Sequence, residues 1–379
     1  MPARPVSPVF AALGALVLLS CKSQTNDVRV GAYLSLSGAD STFGTDTREG
    51  IELALEQVNA AGGVKGHKVT VLYEDDKSSA QEASNKVREL IDRDGVVALL
   101  GEVASSRSMS GGLIANTKHV PMVTPSSTAN EVTRDRAYVF RTCFTNTQHG
   151  DAAARYAHDQ MKSHAAAILY VAQDNYSSGL AQTFRDSFKR QGGTIAIEKG
   201  YQKGETNFTT YLSDVKAAAP DVVFVPVYYA DMVQIARQAK PVGLASSLFV
   251  GGDAWDSADL LEGAGAELEG AHFVDHFAPD VPSPSAQAFL TAFRAKFGHE
   301  PGSLTAQGYD GAGLLFDAMS RAKGTSADAI KDALAATKNY AGATGALTID
   351  ANHDAIKPVV VVAIQAKKFV YATQIQSAP

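Results

Sequence analysis

Two hydroxyl-bearing turns occupy places where a ligand would meet backbone amides. Ser105 and Ser106 follow closely on the apolar run Val96–Leu100 and open a stretch of helical spacing. Ser126, Ser127 and Thr128 repeat the arrangement after Pro121–Thr124, with Pro125 setting the turn. A serine at a helix start can cap the orphan N–H groups of the first turn. The same position also presents N–H and O–H donors to an anion. In an open α/β sheet, the crevice beyond the C-terminal ends of the strands is where ligands bind. Two such turns at neighbouring strand ends favour an anion site over two independent caps.

Other candidate chemistry is thin. Cys143 and His149 form a conceivable thiol–imidazole pair, but no third group is evident to orient the base. A buried, inert thiol is expected instead. His272 and His276, with Asp275 between them, have metal-ligand spacing only on a helix. The stretch 271–277 does not read as one, so a solvated segment is expected. Gly263-Ala264-Gly265 lacks the third glycine of a dinucleotide fingerprint, and the glycines from Gly62 to Gly66 run into His67-Lys68 rather than a phosphate loop. There is no H-E-x-x-H, C-x-x-C or G-x-S-x-G. No enzyme activity, cofactor or metal is expected. Net charge is −6 with no long basic run, which excludes a nucleic-acid binder. Hydrophobic residues make up 45% and charged residues 20%, a globular balance.

The elements that must position these residues come in two rounds of strand and helix. Val28–Leu34, Val69–Tyr73, Val96–Leu100 and Pro121–Thr124 read as strands. Helices of 47–59, 80–91 and 105–116 lie between them. After 138–142 the pattern restarts. Strands are expected at 166–171, 195–200, 222–227 and 248–251, with helices at 152–161, 179–191, 211–217, 232–239 and 254–261. A helical stretch follows from about Ser283 (286–297, 305–321, 327–336), and strands close the chain at 346–349, 359–364 and 369–372. Short continuous apolar strands alternating with amphipathic helices indicate parallel sheets buried on both faces. Right-handed crossovers then give doubly wound α/β layers. The 379 residues suit two such lobes.

The first twenty residues read as an address. Arg4 precedes an apolar core from Val9 to Leu19, the length of a signal-peptide core and too short to span a bilayer. Leu18-Leu19-Ser20-Cys21 resembles the bacterial lipobox, in which the cysteine is diacylated and becomes the mature N-terminus. Two acyl chains anchor stably where one binds reversibly. An ordinary secretory signal with a chance cysteine is the alternative.

The loop residues also carry a family resemblance. Gly101-Glu102-Val103-Ala104-Ser105-Ser106 and Pro121 to Thr128 resemble the signature of the periplasmic leucine/isoleucine/valine-binding proteins, the receptors of branched-chain amino-acid ABC transporters. Gly31 to Gly44, Asn59 to Gly66, Lys203 to Phe208 and Gly345 to Asp350 are similar to further family segments, in order and spacing. The resemblance implies a type I periplasmic binding fold, two Rossmann-like lobes joined by three crossings. Residues 27–145 and 276–355 would form the first lobe, and 146–275 with 356–379 the second. It further implies an amino acid bound between the lobes and delivered to a permease with its ATPases. A monomeric, lipid-anchored envelope protein is expected. The fold also serves as a sensor module signalling through a membrane partner, and the sequence does not separate the two roles.

Residue by residue, the resemblance assigns Ser105 and Thr128 to the ligand carboxylate and the Ser126 carbonyl to its ammonium. Asp253 falls where the family has an acidic residue on the ammonium, and would make a strong charge-assisted bond. Its alternative is a cap for the helix at 254–261. Tyr228 aligns with a cleft tyrosine. Phe43 stands where many members have tyrosine, so a hydroxyl is missing. Tyr176, Trp255 and Tyr309 are expected walls for the ligand side chain.

Overall fold

The computed structural model describes residues 1–3 and 27–376, so the apolar core of the expected leader and Cys21 lie outside the described residues. Two sheets organise the chain. The first is built from β1 (Val28–Leu34), β2 (Val69–Asp75), β3 (Ala98–Leu100), β4 (Met122–Thr124) and β5 (Val139–Arg141). It runs in the order β2-β1-β3-β4-β5 with every pairing parallel. Helices α1 (Ser41–Ala60), α2 (Ala80–Arg88) and α3 (Ser105–Thr117) make its crossovers.

The chain then enters the second lobe through α4 (Asn146–Arg155). It continues as β6 (Ala165–Val171), α5 (Asn175–Arg190), β7 (Thr194–Tyr201), α6 (Thr209–Ala217), β8 (Val222–Val225), α7 (Tyr229–Val242), β9 (Phe249–Gly251), α8 (Ala258–Ala264) and β10 (His272–Asp275). It returns to the first lobe as α9 (Pro284–Phe297), α10 (Ser303–Arg321) and α11 (Ala327–Ala335), with a small sheet of β11 (Tyr340–Gly342), β12 (Gly345–Ile349) and β13 (Ala355–Ile356). The final hairpin, β14 (Val359–Gln365) and β15 (Lys368–Ile375), joins the second sheet, ordered β15-β14-β10-β9-β8-β6-β7. The chain thus passes between the sheets after β5, after β10 and before β14.

Why these stretches fold this way follows from their faces. Strands β3, β4, β5, β8 and β9 are buried at every residue, as parallel strands covered by helices on both sides must be. In the first lobe Val30, Ala32, Leu34 and Phe140 pack against Ile51 of α1 and Leu315 of α10. Tyr33, Leu99 and Met122 face α2 on the other side, against Val87. The second core, around Ile168, Phe224, Val250 and Phe273, also takes in Phe43, Val103 and Leu304 from the first lobe. Apolar contact therefore crosses between lobes, and the cleft is closed.

Three expectations are corrected. The stretch 271–277 is not a solvated segment. Residues 272–275 form β10 inside the second sheet, and His276 is fully buried. The helix expected at 254–261 starts later, at Ala258, because Ser257 caps it by accepting from the Asp259 amide. The helix expected at 152–161 begins at Asn146, where Thr145 and Gln148 form a reciprocal capping box. The stretch 156–160 continues it as a wider π turn.

Candidate functional site: the cleft between the lobes

Both sheets place their loops toward one crevice. In the first sheet the strand order reverses between β1 and β3; in the second it reverses between β6 and β8. Such switch points splay the loops and leave a crevice at the C-terminal strand ends. Phe43 follows β1, Ser105 follows β3 and Ser126 follows β4. From the other lobe, Tyr176 follows β6, Tyr228 follows β8 and Asp253 follows β9. These six residues, with Val103, Ala254 and Leu304, line one small cavity. Its volume is about 20 Å³, room for roughly one water. Anything larger enters only when the lobes part.

The first-lobe wall is a set of hydroxyls tied to one another. Ser105 does not cap α3: Ala104 holds the cap position and offers no side-chain bond. The Ser105 hydroxyl oxygen instead accepts from the Ala129 amide at 3.1 Å, joining the two loops and leaving its own proton to donate. Ser127 Oγ donates within reach of the Glu102 and Val103 carbonyls, at 2.9 and 2.8 Å. Thr128 is not among the residues lining the cavity. It is buried, and its Oγ1 has no hydrogen-bond partner. An unpartnered buried hydroxyl is costly unless something else receives it. Beneath these loops Glu102 accepts from the Ser35 and Ala104 amides and pairs with Arg107 at 2.9 Å. Arg107 pairs in turn with Asp40 at 2.8 Å.

The second-lobe wall is aromatic around one carboxylate. Asp253 is 6% exposed and opens a single 3₁₀ turn, Asp253–Trp255, so it is not the cap of α8. Its Oδ1 accepts from the Tyr176 hydroxyl at 2.9 Å. Gly252 makes this reach possible, since a Cβ there would stand 2.4 Å from the Tyr176 oxygen. Burial pushes the Asp253 carboxyl up to about 7, with the Tyr176 hydrogen bond pulling the other way. Burial raises the Tyr176 and Tyr228 phenols far above their ordinary range, keeping both protonated. The Phe43 ring meets Tyr228 at 6.1 Å and Tyr229 at 5.1 Å across the interlobe seam.

Two expected walls lie elsewhere. Trp255 is fully buried in the second-lobe core, its Nε1–H donating to the Val225 carbonyl at 3.1 Å. Gly251 leaves the room for that ring. Tyr309 is on α10, five residues beyond the cavity-lining Leu304, or about 140° round the helix. It therefore faces Phe289 and donates to Gln57 Oε1 at 2.7 Å, away from the cleft.

Sequence reasoning passed over Val103, Ala254 and Leu304, whose apolar character gave no signal. It weighed His149 and His276 only as a thiol partner and a metal ligand, whereas both stand beside the Asp253 carboxylate. Cys143 is buried, its thiol pushed up to about 12 by desolvation, and its sulfur faces the Ser127 carbonyl rather than His149.

The fold is shared with known proteins. A leucine-, isoleucine-, valine-, threonine- and alanine-binding protein of Pseudomonas aeruginosa is 28% identical over 355 residues, covering 92% of each chain. The crystal structure of a leucine binding protein from Thermotoga maritima is 33% identical, with a TM-score of 0.88 over 92% of this chain and 99% of that one. A branched-chain amino acid transporter substrate binding protein from Streptococcus pneumoniae, solved with isoleucine, is 29% identical, with a TM-score of 0.85 over the same shares. The model of the periplasmic binding protein family matches residues 27–368, and the chain belongs to that family.

Proposed function

We propose that this protein is an extracytoplasmic receptor for an α-amino acid with a branched-chain or other hydrophobic side chain, or a related amide, which it delivers to an ABC importer. The reading rests on one observation above all. A single carboxylate, Asp253, and the hydroxyl loops of Ser105 and Ser126 line the same cavity from opposite lobes. A zwitterion has the complementary charges. Its carboxylate would take the hydroxyls and amides of Ser105 and Thr128. Its ammonium would take Asp253 and the Ser126 carbonyl, and Phe43, Tyr176 and Tyr228 would enclose the side chain. Contacts to both lobes at once favour the closed form.

The chemistry is capture and release rather than catalysis. The Ser105 oxygen is engaged by the Ala129 amide, not by a general base. The names of the relatives, which bind leucine, isoleucine and valine, support the ligand class. In this reading the mature chain begins at a diacylated Cys21, anchors at the envelope membrane, and works as a monomer with a permease and ATPases encoded elsewhere.

The test is a thermal-shift screen of the purified protein, stripped of bound ligand by unfolding and refolding, against amino acids, amides and carboxylates. A ligand at about a thousandfold excess over Kd stabilises by roughly 4 kcal/mol. A large shift with leucine, isoleucine or valine is expected. No shift with any α-amino acid or amide defeats the reading.

A further inference from the structure

Behind Asp253, on the side away from the cavity, stands a pair of imidazoles with no part in the contacts described so far. His276 Nε2 lies 3.1 Å from Asp253 Oδ2, and His149 Nδ1 lies 3.6 Å from Oδ1. The Phe144 ring stacks on His276 with centroids 3.6 Å apart and meets His149 edge-on at 4.9 Å. All three rings are fully buried.

The last torsion of an aspartate is soft and roughly two-fold. A hydrogen bond to one oxygen leaves the carboxylate free to swing about it. Tyr176 holds Oδ1; a donor on Oδ2 is what stops the swing. A neutral imidazole has one donor nitrogen, chosen by where an acceptor waits. His276 Nδ1 has no partner, whereas Nε2 faces the carboxylate, so the proton belongs on Nε2. The Phe144 stack fixes the plane of the ring.

We propose that His276 is a positioning residue for the acidic corner of the cleft: its Nε2–H holds Asp253 Oδ2 so that the remaining lone pairs of the carboxylate face the ligand's ammonium. A charged imidazolium would pair with Asp253 and cancel the attraction. Burial pushes His276 well below its ordinary range and His149 down to about 3, which keeps both neutral. The ligand half of this inference rests on the amino-acid reading above.

Two measurements test it. In the full protein at about pH 8, where Asp253 is ionised, ¹⁵N NMR of His276 is expected to show the neutral Nε2–H tautomer. The Nδ1–H tautomer, or a charged ring, overturns the proposal whether or not an amino acid binds. Second, L-leucine is compared with 4-methyl-2-oxopentanoate, which keeps the carboxylate and side chain but lacks the ammonium. His276→Phe is expected to weaken leucine about tenfold or more, the scale for losing a hydrogen bond to a charged group, and to leave the oxo acid within about twofold. His276→Gln, which restores an N–H donor, is expected to recover most of the loss and guards against a misfolded Phe variant. Equal losses for both probes mean a merely structural role and overturn the proposal, as does no loss at all. A wild-type protein that binds neither probe nor any amino acid or amide of the thermal-shift screen defeats the amino-acid reading, while the tautomer still decides the placement of the proton.

Discussion

The backbone amide of Ser303, first residue of α10 in the first lobe, donates to Asp256 Oδ2 in the second lobe at 3.0 Å. Ser303 Oγ also donates to Asp275 Oδ1 at 2.6 Å. The cap position of α10 is Gly302, which has no side chain to satisfy the first-turn amides. The opposite lobe supplies the missing acceptor, and a carboxyl group suits the positive end of the helix dipole. This contact ties the first-lobe helix to the second lobe. Asp256→Ala removes it and is expected to lower ligand affinity about tenfold. Small-angle scattering of the unliganded variant should show a larger radius of gyration than the wild type. Unchanged affinity and unchanged scattering would show that the contact does not contribute to closure.

Asp253 gives the site a pH signature. Its carboxyl in the unliganded protein is pushed up to about 7 by burial. The carboxylate is the form that holds an ammonium, and a bound ammonium favours it further. Binding below about pH 7 therefore releases a proton, and amino-acid affinity falls by up to about tenfold per pH unit as the solution becomes more acid. Above about pH 7 it is flat. Folding stability has the opposite trend. The folded protein holds this proton more tightly than an unfolded aspartate near 3.9, so the contribution is present at low pH and is lost as pH rises from about 4 to about 7. Titration calorimetry between pH 5.5 and 8 in buffers of different ionisation enthalpy measures the proton count. Asp253→Asn should abolish the proton release and cost about 2 kcal/mol or more of amino-acid affinity. A pH-independent wild type would remove Asp253 from the ligand contacts.

Tyr176 sets where that midpoint lies. Its hydroxyl donates to Asp253 Oδ1 and receives the Ala254 amide at 3.3 Å. The bond to the carboxylate opposes the effect of burial. Tyr176→Phe should move the midpoint of the affinity profile to higher pH and weaken binding by about 1–3 kcal/mol at neutral pH. A variant with weaker binding but an unmoved midpoint would mean that the ring acts as a wall and not through the carboxylate.

The parts of this architecture readable from sequence are those with a local physical cause. β3, β4 and β8 are short, continuous apolar runs followed by helix signals, and their burial on both faces is written in composition. The hydroxyl turns at Ser105 and Ser126 were visible because Pro125 and the preceding strands set their place. The second sheet's β10 was not. His272, Asp275 and the adjoining His276 look polar in sequence, yet tertiary burial overrides local polarity once Phe144 and Asp253 supply partners to His276. Trp255 and Tyr309 were misplaced for a related reason. Aromatic type and proximity to a site residue say nothing about which side of a 3₁₀ turn or helix faces the cleft. His149 lies 104 positions from Asp253 in the chain, and no sequence spacing announces that contact.

The crossing of α1 and α10 places two of the three apolar first-lobe wall residues, since Phe43 rides on one helix and Leu304 on the other. The two backbones touch at glycines. A Cβ on Gly50 would stand 2.0 Å from the Thr305 carbonyl oxygen, and one on Gly308 would stand 2.3 Å from that of Thr47. Backbone cannot move aside as the end of a side chain can, so the helices must separate. Gly→Ala in a helix ordinarily stabilises by roughly 0.5–1 kcal/mol. Here overpacking of about 1–3 kcal/mol should exceed that gain. Gly112 in α3 is the control, because its Cβ would meet only side-chain atoms at ordinary contact distances, Val139 at 3.4 Å and Met122 Sδ at 3.6 Å. Denaturant unfolding is expected to rank Gly112→Ala at or above wild type, with Gly50→Ala and Gly308→Ala below it. The two crossing variants should also bind ligand more weakly, because separating α1 from α10 shifts Phe43 and Leu304 together. If all three variants were equally stable, the helices would not cross in backbone contact, and the placement of both walls would have to come from the sheet alone.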